Sequence, residues 1–218
     1  MKNPKPKNRT PIESSRPYLP LLILLFVGSG CAALIYEIVW FQMLQLVIGA
    51  SGISLGVLLG TFMGGMFLGS ILLPRFVPPS RHPLRVYAAM EAGIAALGLL
   101  LLVAIPGVSG VYGSLVPPGF ASVVMRTVLC VLLLLPPTIL MGATLPAMAR
   151  YVEATPRGVS WMGLFYGGNI AGAVLGCLLA GYYLLRMFDL PTATGVAMGL
   201  NILVATVAFG VSRVSPHK

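Results

Sequence analysis

Residues 38–74, IVWFQMLQLVIGASGISLGVLLGTFMGGMFLGSILLP, contain no charged side chain. A helix that crosses a bilayer needs about 20 mostly apolar residues, so this run is too long for one crossing and long enough for two. The stretch Gly49-Ala50-Ser51-Gly52 supplies the turn between them. Working outward, further neutral runs cover 17–36, 92–125, 127–149, 158–185 and 190–212. Together they place helices near 19–46, 52–73, 86–106, 123–146, 160–184 and 191–211. Leu, Ile, Val and Ala follow one another without the alternation of a transmembrane barrel. The fold class read from the chain is all-α, a polytopic membrane protein with six transmembrane helices.

The composition of the whole 218-residue chain agrees, with 57% hydrophobic and only 9% charged residues and a mean hydropathy of +0.94. Soluble domains carry about 25% charged residues, so lipid is the expected solvent. The net charge of +9 comes from 14 Lys and Arg against 5 Asp and Glu, and its distribution sets the orientation. Lys2, Lys5, Lys7, Arg9, Arg16, Arg75, Arg81, Arg85, Arg150, Arg157, Arg213 and Lys218 fall on one side of the six crossings, and only Arg126 and Arg186 on the other. Loops rich in Lys and Arg stay in the cytoplasm. Both termini are therefore expected inside, in a multi-pass protein of the inner (plasma) membrane.

Three segments follow: a basic, flexible cytoplasmic arm (1–17), the membrane domain (18–212) and a short cytoplasmic tail (213–218). The arm, with Pro4, Pro6, Pro11 and Pro17 among its cations, suits anionic headgroups. No aromatic residue interleaves its charges before Tyr18, so the stacking component of single-strand binding is missing and no nucleic-acid partner is expected. The apolar run continues through Trp40 without a small-x-small site, which argues against a cleaved signal peptide. Cys31, Cys130 and Cys177 all fall inside spans, so no disulfide is expected. The connection at 107–120, rich in Gly and Pro, is expected to lie at the opposite interface.

Two carboxyls fall inside spans, Glu37 and Glu91. A charged residue at the bilayer centre costs about 2.5–3.5 kcal/mol on insertion scales, so each should face protein or water, or be protonated. Glu37 lies 21 residues beyond Arg16 and 12 before Gly49, which makes it the leading candidate for ligand or proton handling; the alternative is a buried structural hydrogen bond. With Tyr36 and Trp40 it could line a site for a cation or amine through charge pairing and cation–π contact. Glu91, only six residues from Arg85, is read first as structural, reaching the interface or pairing with Arg75, Arg81 or Arg85. Asn169 is the conspicuous uncharged polar residue of the fifth span, with interhelical hydrogen bonding as its default role.

Pro136, Pro137 and Pro146 each remove a backbone donor and are expected to kink the fourth span or free carbonyls toward a site. Gly56, Gly60 and Gly64 in the second span and Gly168, Gly172 and Gly176 in the fifth recur at four-residue intervals and draw small-residue stripes. Close helix packing is their plain reading. The sharper one makes them sliding surfaces of a transporter built from two inverted three-helix repeats. The chain contains no Cys-x-x-Cys, and His82 and His217 form no metal pair, so no metal or cofactor is expected.

Several strings taken together are similar to a known family: Ser29-Gly30-Cys31-Ala32-Ala33-Leu34-Ile35-Tyr36-Glu37-Ile38-Val39-Trp40, Gly64-Gly65-Met66-Phe67-Leu68-Gly69-Ser70, Leu134-Leu135-Pro136-Pro137-Thr138-Ile139-Leu140-Met141-Gly142-Ala143-Thr144-Leu145-Pro146 and Gly168-Asn169-Ile170-Ala171-Gly172-Ala173. They resemble the membrane domain of the fused spermidine synthase-like proteins, a region compared with the major facilitator superfamily. The resemblance covers nearly all of the chain after residue 17 and implies half of a major facilitator-like transporter. In that family a soluble aminopropyltransferase-like domain commonly follows the membrane part. This sequence ends at Lys218, so no catalytic residue carries over and no enzyme activity is expected.

The expectation is part of a transport pathway for a small polar or cationic solute, for instance a polyamine, completed by a second copy or another membrane subunit. The alternative is a non-transporting anchor for a separately encoded enzyme such as an aminopropyltransferase.

Overall fold

The computed structural model describes residues 18–49, 52–115, 120–152 and 156–215. The N-terminal arm, and residues 50 and 51 of the first turn, lie outside that set. Among the described residues the chain is all helical: α1 (Leu19–Ile48), α2 (Gly52–Phe76), α3 (Pro83–Leu115), α4 (Phe120–Val152), α5 (Pro156–Leu178), a π-helical stretch (Leu179–Leu184), α6 (Leu185–Met187) and α7 (Leu190–Val214). Six spans are long and apolar enough to cross a membrane, the fifth formed by α5, the π-helical stretch and α6. The protein is a multi-pass membrane protein.

The helices outrun their expected bounds. The connection expected at 107–120 is helical as far as Leu115, with Pro106 inside α3. Helix α4 is continuous through Pro136, Pro137 and Pro146 and reaches Val152. Backbone in hydrocarbon has no water to bond, so α-helix persists even where proline costs a bond. Hydroxyls between the prolines bond their own helix: Thr138 donates to the Leu134 and Leu135 carbonyls (3.0 and 2.9 Å), and Thr144 to that of Met141 (2.8 Å).

Between α1 and α2 the chain reverses at Gly49, whose φ of 121° is the only positive value among the described residues. A side chain there would be strained, and glycine is not. The Gly49 amide closes α1 on the Gln45 carbonyl (3.0 Å), and buried Ser54 reaches back to the Gly49 carbonyl (2.5 Å). At the entry to α7, Asp189 caps the helix by accepting from the Thr192 amide (2.9 Å). Hydrogen bonding from Thr192, its side chain first and its amide second, holds the Asp189 carboxyl below the usual carboxylate range. The cap is thus complete above the ordinary carboxyl pKa and fades as pH falls through the lowered value.

The most extensive packings are α1 on α5, α2 on α4, α3 on α7 and α3 on α4, followed by α1 on α7. Lipid gives no hydrophobic drive for helices to associate, so contact depends on close backbone approach and polar links. Glycine provides that approach at two crossings. A Cβ on Gly172 or Gly176 would strike the Val27 or Cys31 carbonyl of α1, and one on Gly30 would strike the Asn169 carbonyl of α5. In the other crossing, Gly65 and Gly69 of α2 abut Thr138 and the Ile139 carbonyl, and Gly142 of α4 abuts Met66. Gly168 is looser, against Ile23.

The second-span stripe needs correcting. Gly56, Gly60 and Gly64 have open space where a Cβ would stand, so they pack no helix among the described residues. The packing row is the adjacent one, Gly65 and Gly69. Rotation of α2 about its axis decides between the rows, and that helix is too evenly apolar for its sequence to fix the rotation.

Gly69→Ala and Gly172→Ala are expected to destabilise the protein by about 1–3 kcal/mol through overpacking against backbone. Gly60→Ala should be neutral or stabilising by up to about 1 kcal/mol. Thermal unfolding of the three variants in detergent checks the contrast; equal effects at all three positions would contradict the two crossings.

Candidate functional site

Glu91 is the most deeply placed ionisable group in the bundle. It stands eight residues into α3, about 12 Å along the helix at 1.5 Å per residue, and is 0% exposed. The sequence reading placed it near the interface or against Arg75, Arg81 or Arg85; the structure corrects this, because its partner is Ser29 of α1, whose hydroxyl donates to Oε1 at 2.6 Å. Oε2 has no hydrogen-bond partner. Tyr87, one turn earlier on the same helix and equally buried, directs its hydroxyl toward the Ser29–Glu91 pair without a hydrogen bond of good geometry.

Aromatic packing fixes this corner. Phe26 of α1 stacks on Tyr87 (centroids 5.2 Å apart, planes 9° apart) and tilts against Phe165 of α5 (5.3 Å). One ring thus ties three helices together beside the polar pair.

Ser29 also lines a cavity of about 180 Å³ between α1, α2, α4 and α5. Its other polar walls are Thr144, Tyr166 and Asn169, and Gly142 brings backbone to the surface. Pro146 lacks the amide that would bond the Gly142 carbonyl in a regular α-helix. Donors and acceptors therefore converge on a space at membrane depth, with a carboxyl one hydrogen bond behind its wall. Such a space can orient a small polar solute. At about 180 Å³ it is smaller than the 300–1,000 Å³ typical of complete ligand sites.

The other expected site residues are dispersed. Tyr36 and Trp40 stack on each other (5.2 Å, 21°) inside the apolar core at 0% and 1% exposure. The Tyr36 ring lies against Gly98 of α3. Glu37 is half-buried and does not line the cavity beside Ser29. Of the five residues expected to bind solute or a proton, Asn169 alone lines the cavity. Its Nδ2 donates weakly to the Phe26 carbonyl (3.4 Å). Pro146 bears on the cavity through Gly142, whereas Pro136 and Pro137 precede it by a turn or more on α4.

Ser29, Tyr87, Thr144 and Tyr166 were missed. Ser29 was legible as a polar residue in the Gly28-Ser29-Gly30 string; its pairing with a residue 62 positions away was not. At the far end of the bundle, Arg126 donates to the Val47 carbonyl at the end of α1 (3.2 Å), and at the opposite end Arg150 donates to the Val77 carbonyl (2.8 Å). No protein-family model, curated protein or solved structure matches the chain.

Ser29→Ala leaves the Glu91 carboxyl buried without its hydroxyl donor. It is expected to cost about 1–3 kcal/mol, the usual penalty for orphaning a buried polar group, whereas Ser29→Thr, which keeps the hydroxyl, should cost less. Denaturation midpoints of the purified variants measure this, and a harmless Ser29→Ala would remove the pair from any structural role.

Proposed function

We propose that the chain is one half of a membrane transporter, a six-helix module whose polar cavity between α1, α2, α4 and α5 forms part of the path of a small polar or cationic solute. The observation that carries this reading is the buried carboxyl of Glu91 joined to Ser29, a residue of the cavity wall. A carboxyl held in hydrocarbon costs free energy that helix packing alone does not demand, and such groups mark ion and proton paths. Loading and release of a proton or cation at Glu91 would be felt in the cavity through the Ser29 hydroxyl.

The helix pairing supports two inverted three-helix repeats. With α1, α2 and α3 matched to α4, the fifth span and α7, the packing of α1 on α5 corresponds to that of α4 on α2, and α1 on α7 corresponds to α4 on α3. The glycine crossings follow the same exchange. Gly30 and Gly142 occupy the first helix of each half, and the pairs Gly65/Gly69 and Gly172/Gly176 the second. Inverted repeats with a site near the midplane are a transporter architecture. The resemblance of the quoted strings to the membrane domain of the spermidine synthase-like fusion proteins favours the same reading, with a polyamine as first solute to try and no enzymatic chemistry in these helices.

The small cavity calls for a second module. The second and fifth spans are the least buried, 28% and 22% of their most apolar windows against 50% in α1. A second copy, or another membrane subunit, set against their open sides would enlarge the cavity into a full site. By the distribution of arginines, the end carrying Arg75, Arg81, Arg85, Arg150 and Arg213 faces the cytoplasm.

Glu91→Gln retains an acceptor for Ser29 and removes the titratable proton. Reconstituted into vesicles, it is expected to stay folded and lose flux of a labelled polyamine down to the level of empty vesicles, while Glu37→Gln keeps wild-type flux. Undiminished flux in Glu91→Gln would overturn the assignment, and loss only in Glu37→Gln would move it to α1.

A further inference from the structure

Two grooves meet where α2 ends, α3 begins and α7 ends. The first, about 540 Å³, is walled by Arg81, Arg85, Arg213 and His82, with Ser80 and Ser212. The second, about 360 Å³, is walled by Phe76, Val77, Pro78, Met90 and Leu140. Arg81, Val86 and Ala89 belong to both, so the two adjoin along a shared wall and together make a trough with a cationic half and an apolar half.

Among the described residues no carboxylate lines the cationic half, and Arg81, Arg85 and Arg213 are exposed. The Arg213 guanidinium lies over the Phe209 ring, 4.8 Å from its centre, which orients the group and leaves its charge in place. The first amides of α3 are already used, those of Arg85 and Val86 by the His82 carbonyl (3.0 and 3.2 Å) and that of Leu84 by His82 Nδ1 (3.2 Å). Recognition therefore falls to the side chains, and guanidinium groups match phosphate oxygens in geometry as well as charge.

Depth selects the kind of phosphate. The spans adjoining the trough begin at Pro83 and end at Val214, so the arginines stand where hydrocarbon gives way to headgroups. Phe76, 77% exposed, ends its span at the same level, and Met90 and Leu140 carry the apolar wall farther along α3 and α4. A free phosphate would satisfy the cations and leave the apolar half unexplained, whereas a phosphodiester bearing acyl chains fills both. We propose that this trough is a binding site for an anionic phospholipid, its phosphate held by Arg81, Arg85 and Arg213 and one chain lying along Val86, Ala89, Met90 and Leu140. The site is separate from the cavity beside Ser29 and does not depend on transport.

The test uses the full chain in mild detergent, with native mass spectrometry and thermal unfolding as readouts and three probes: phosphatidylglycerol, phosphatidylcholine with the same chains, and inorganic phosphate. Phosphatidylglycerol should remain bound and raise the unfolding temperature, and the other two should not. Neutralising Arg81, Arg85 and Arg213 together to Gln should weaken its binding about a hundredfold, at about fivefold per basic residue near the surface. Ala89→Trp, which blocks the shared wall, should also abolish retention, and Arg186→Gln, outside the trough, should not. Should the triple variant fail to fold, Arg81→Gln alone reads the same loss at about fivefold. Equal retention of phosphatidylcholine, or wild-type binding by the arginine variants, would overturn the proposal. Inorganic phosphate binding as well as the lipid, with Ala89→Trp without effect, would reduce the trough to a free-anion site and also overturn it.

Discussion

Backbone against backbone at two glycine crossings is the constraint on which the rest of this molecule depends. Apolar side chains gain little by leaving lipid for one another, so the bundle coheres where main chains come close enough for dense dispersion contact and Cα–H···O approaches. Gly30 with Gly172 and Gly176, and Gly142 with Gly65 and Gly69, create those places. Each crossing fixes a pair of helices, α1 with α5 and α2 with α4, while α3 and α7 pack on each other and join the pairs, α3 to α4 and α7 to α1. The cavity beside Ser29 lies between the two crossed pairs, with Gly142 and Asn169 of the crossings in its walls. Packing and site are built from the same residues.

Polar groups inside the bundle follow a different logic. Thr138 and Thr144 return their hydroxyls to carbonyls of their own helix, which is the inexpensive way to bury a hydroxyl. Ser29 spends its hydrogen on another helix and on a carboxyl. Glu91 cannot be satisfied by its own helix, whose amides are occupied, and it retains an oxygen without a donor. Incomplete satisfaction at a fully buried carboxyl is costly in a low-dielectric surrounding, and that cost is the physical basis for assigning it a functional part.

The two ends of the bundle are unlike. At one, Arg126 is absorbed by the end of α1 and Asp189 by the start of α7, so charge serves helix termini. At the other, Arg150 is absorbed in the same manner, yet Arg81, Arg85 and Arg213 stay open around a trough. Open guanidinium groups at the ends of the spans, in a trough that no carboxylate lines among the described residues, are the ground for the lipid site proposed above.

Span number, approximate span limits and the asymmetry of basic residues were legible in the sequence, because transfer into hydrocarbon is nearly additive along the chain and needs no knowledge of neighbours. The turn at Gly49 was legible for the same reason: two crossings had to fit into 38–74 with little between them. Helix rotation was not. A span apolar on every side gives no sign of which face turns inward, so the sequence reading chose the Gly56, Gly60 and Gly64 row over that of Gly65 and Gly69, and ranked Glu37 above Glu91. Only the tertiary structure, by bringing α3 against α1, determined that Glu91 meets Ser29 in the core while Glu37 stays half-buried; the reason is that a contact 62 residues apart is set by interhelical packing and leaves no periodic trace in either helix.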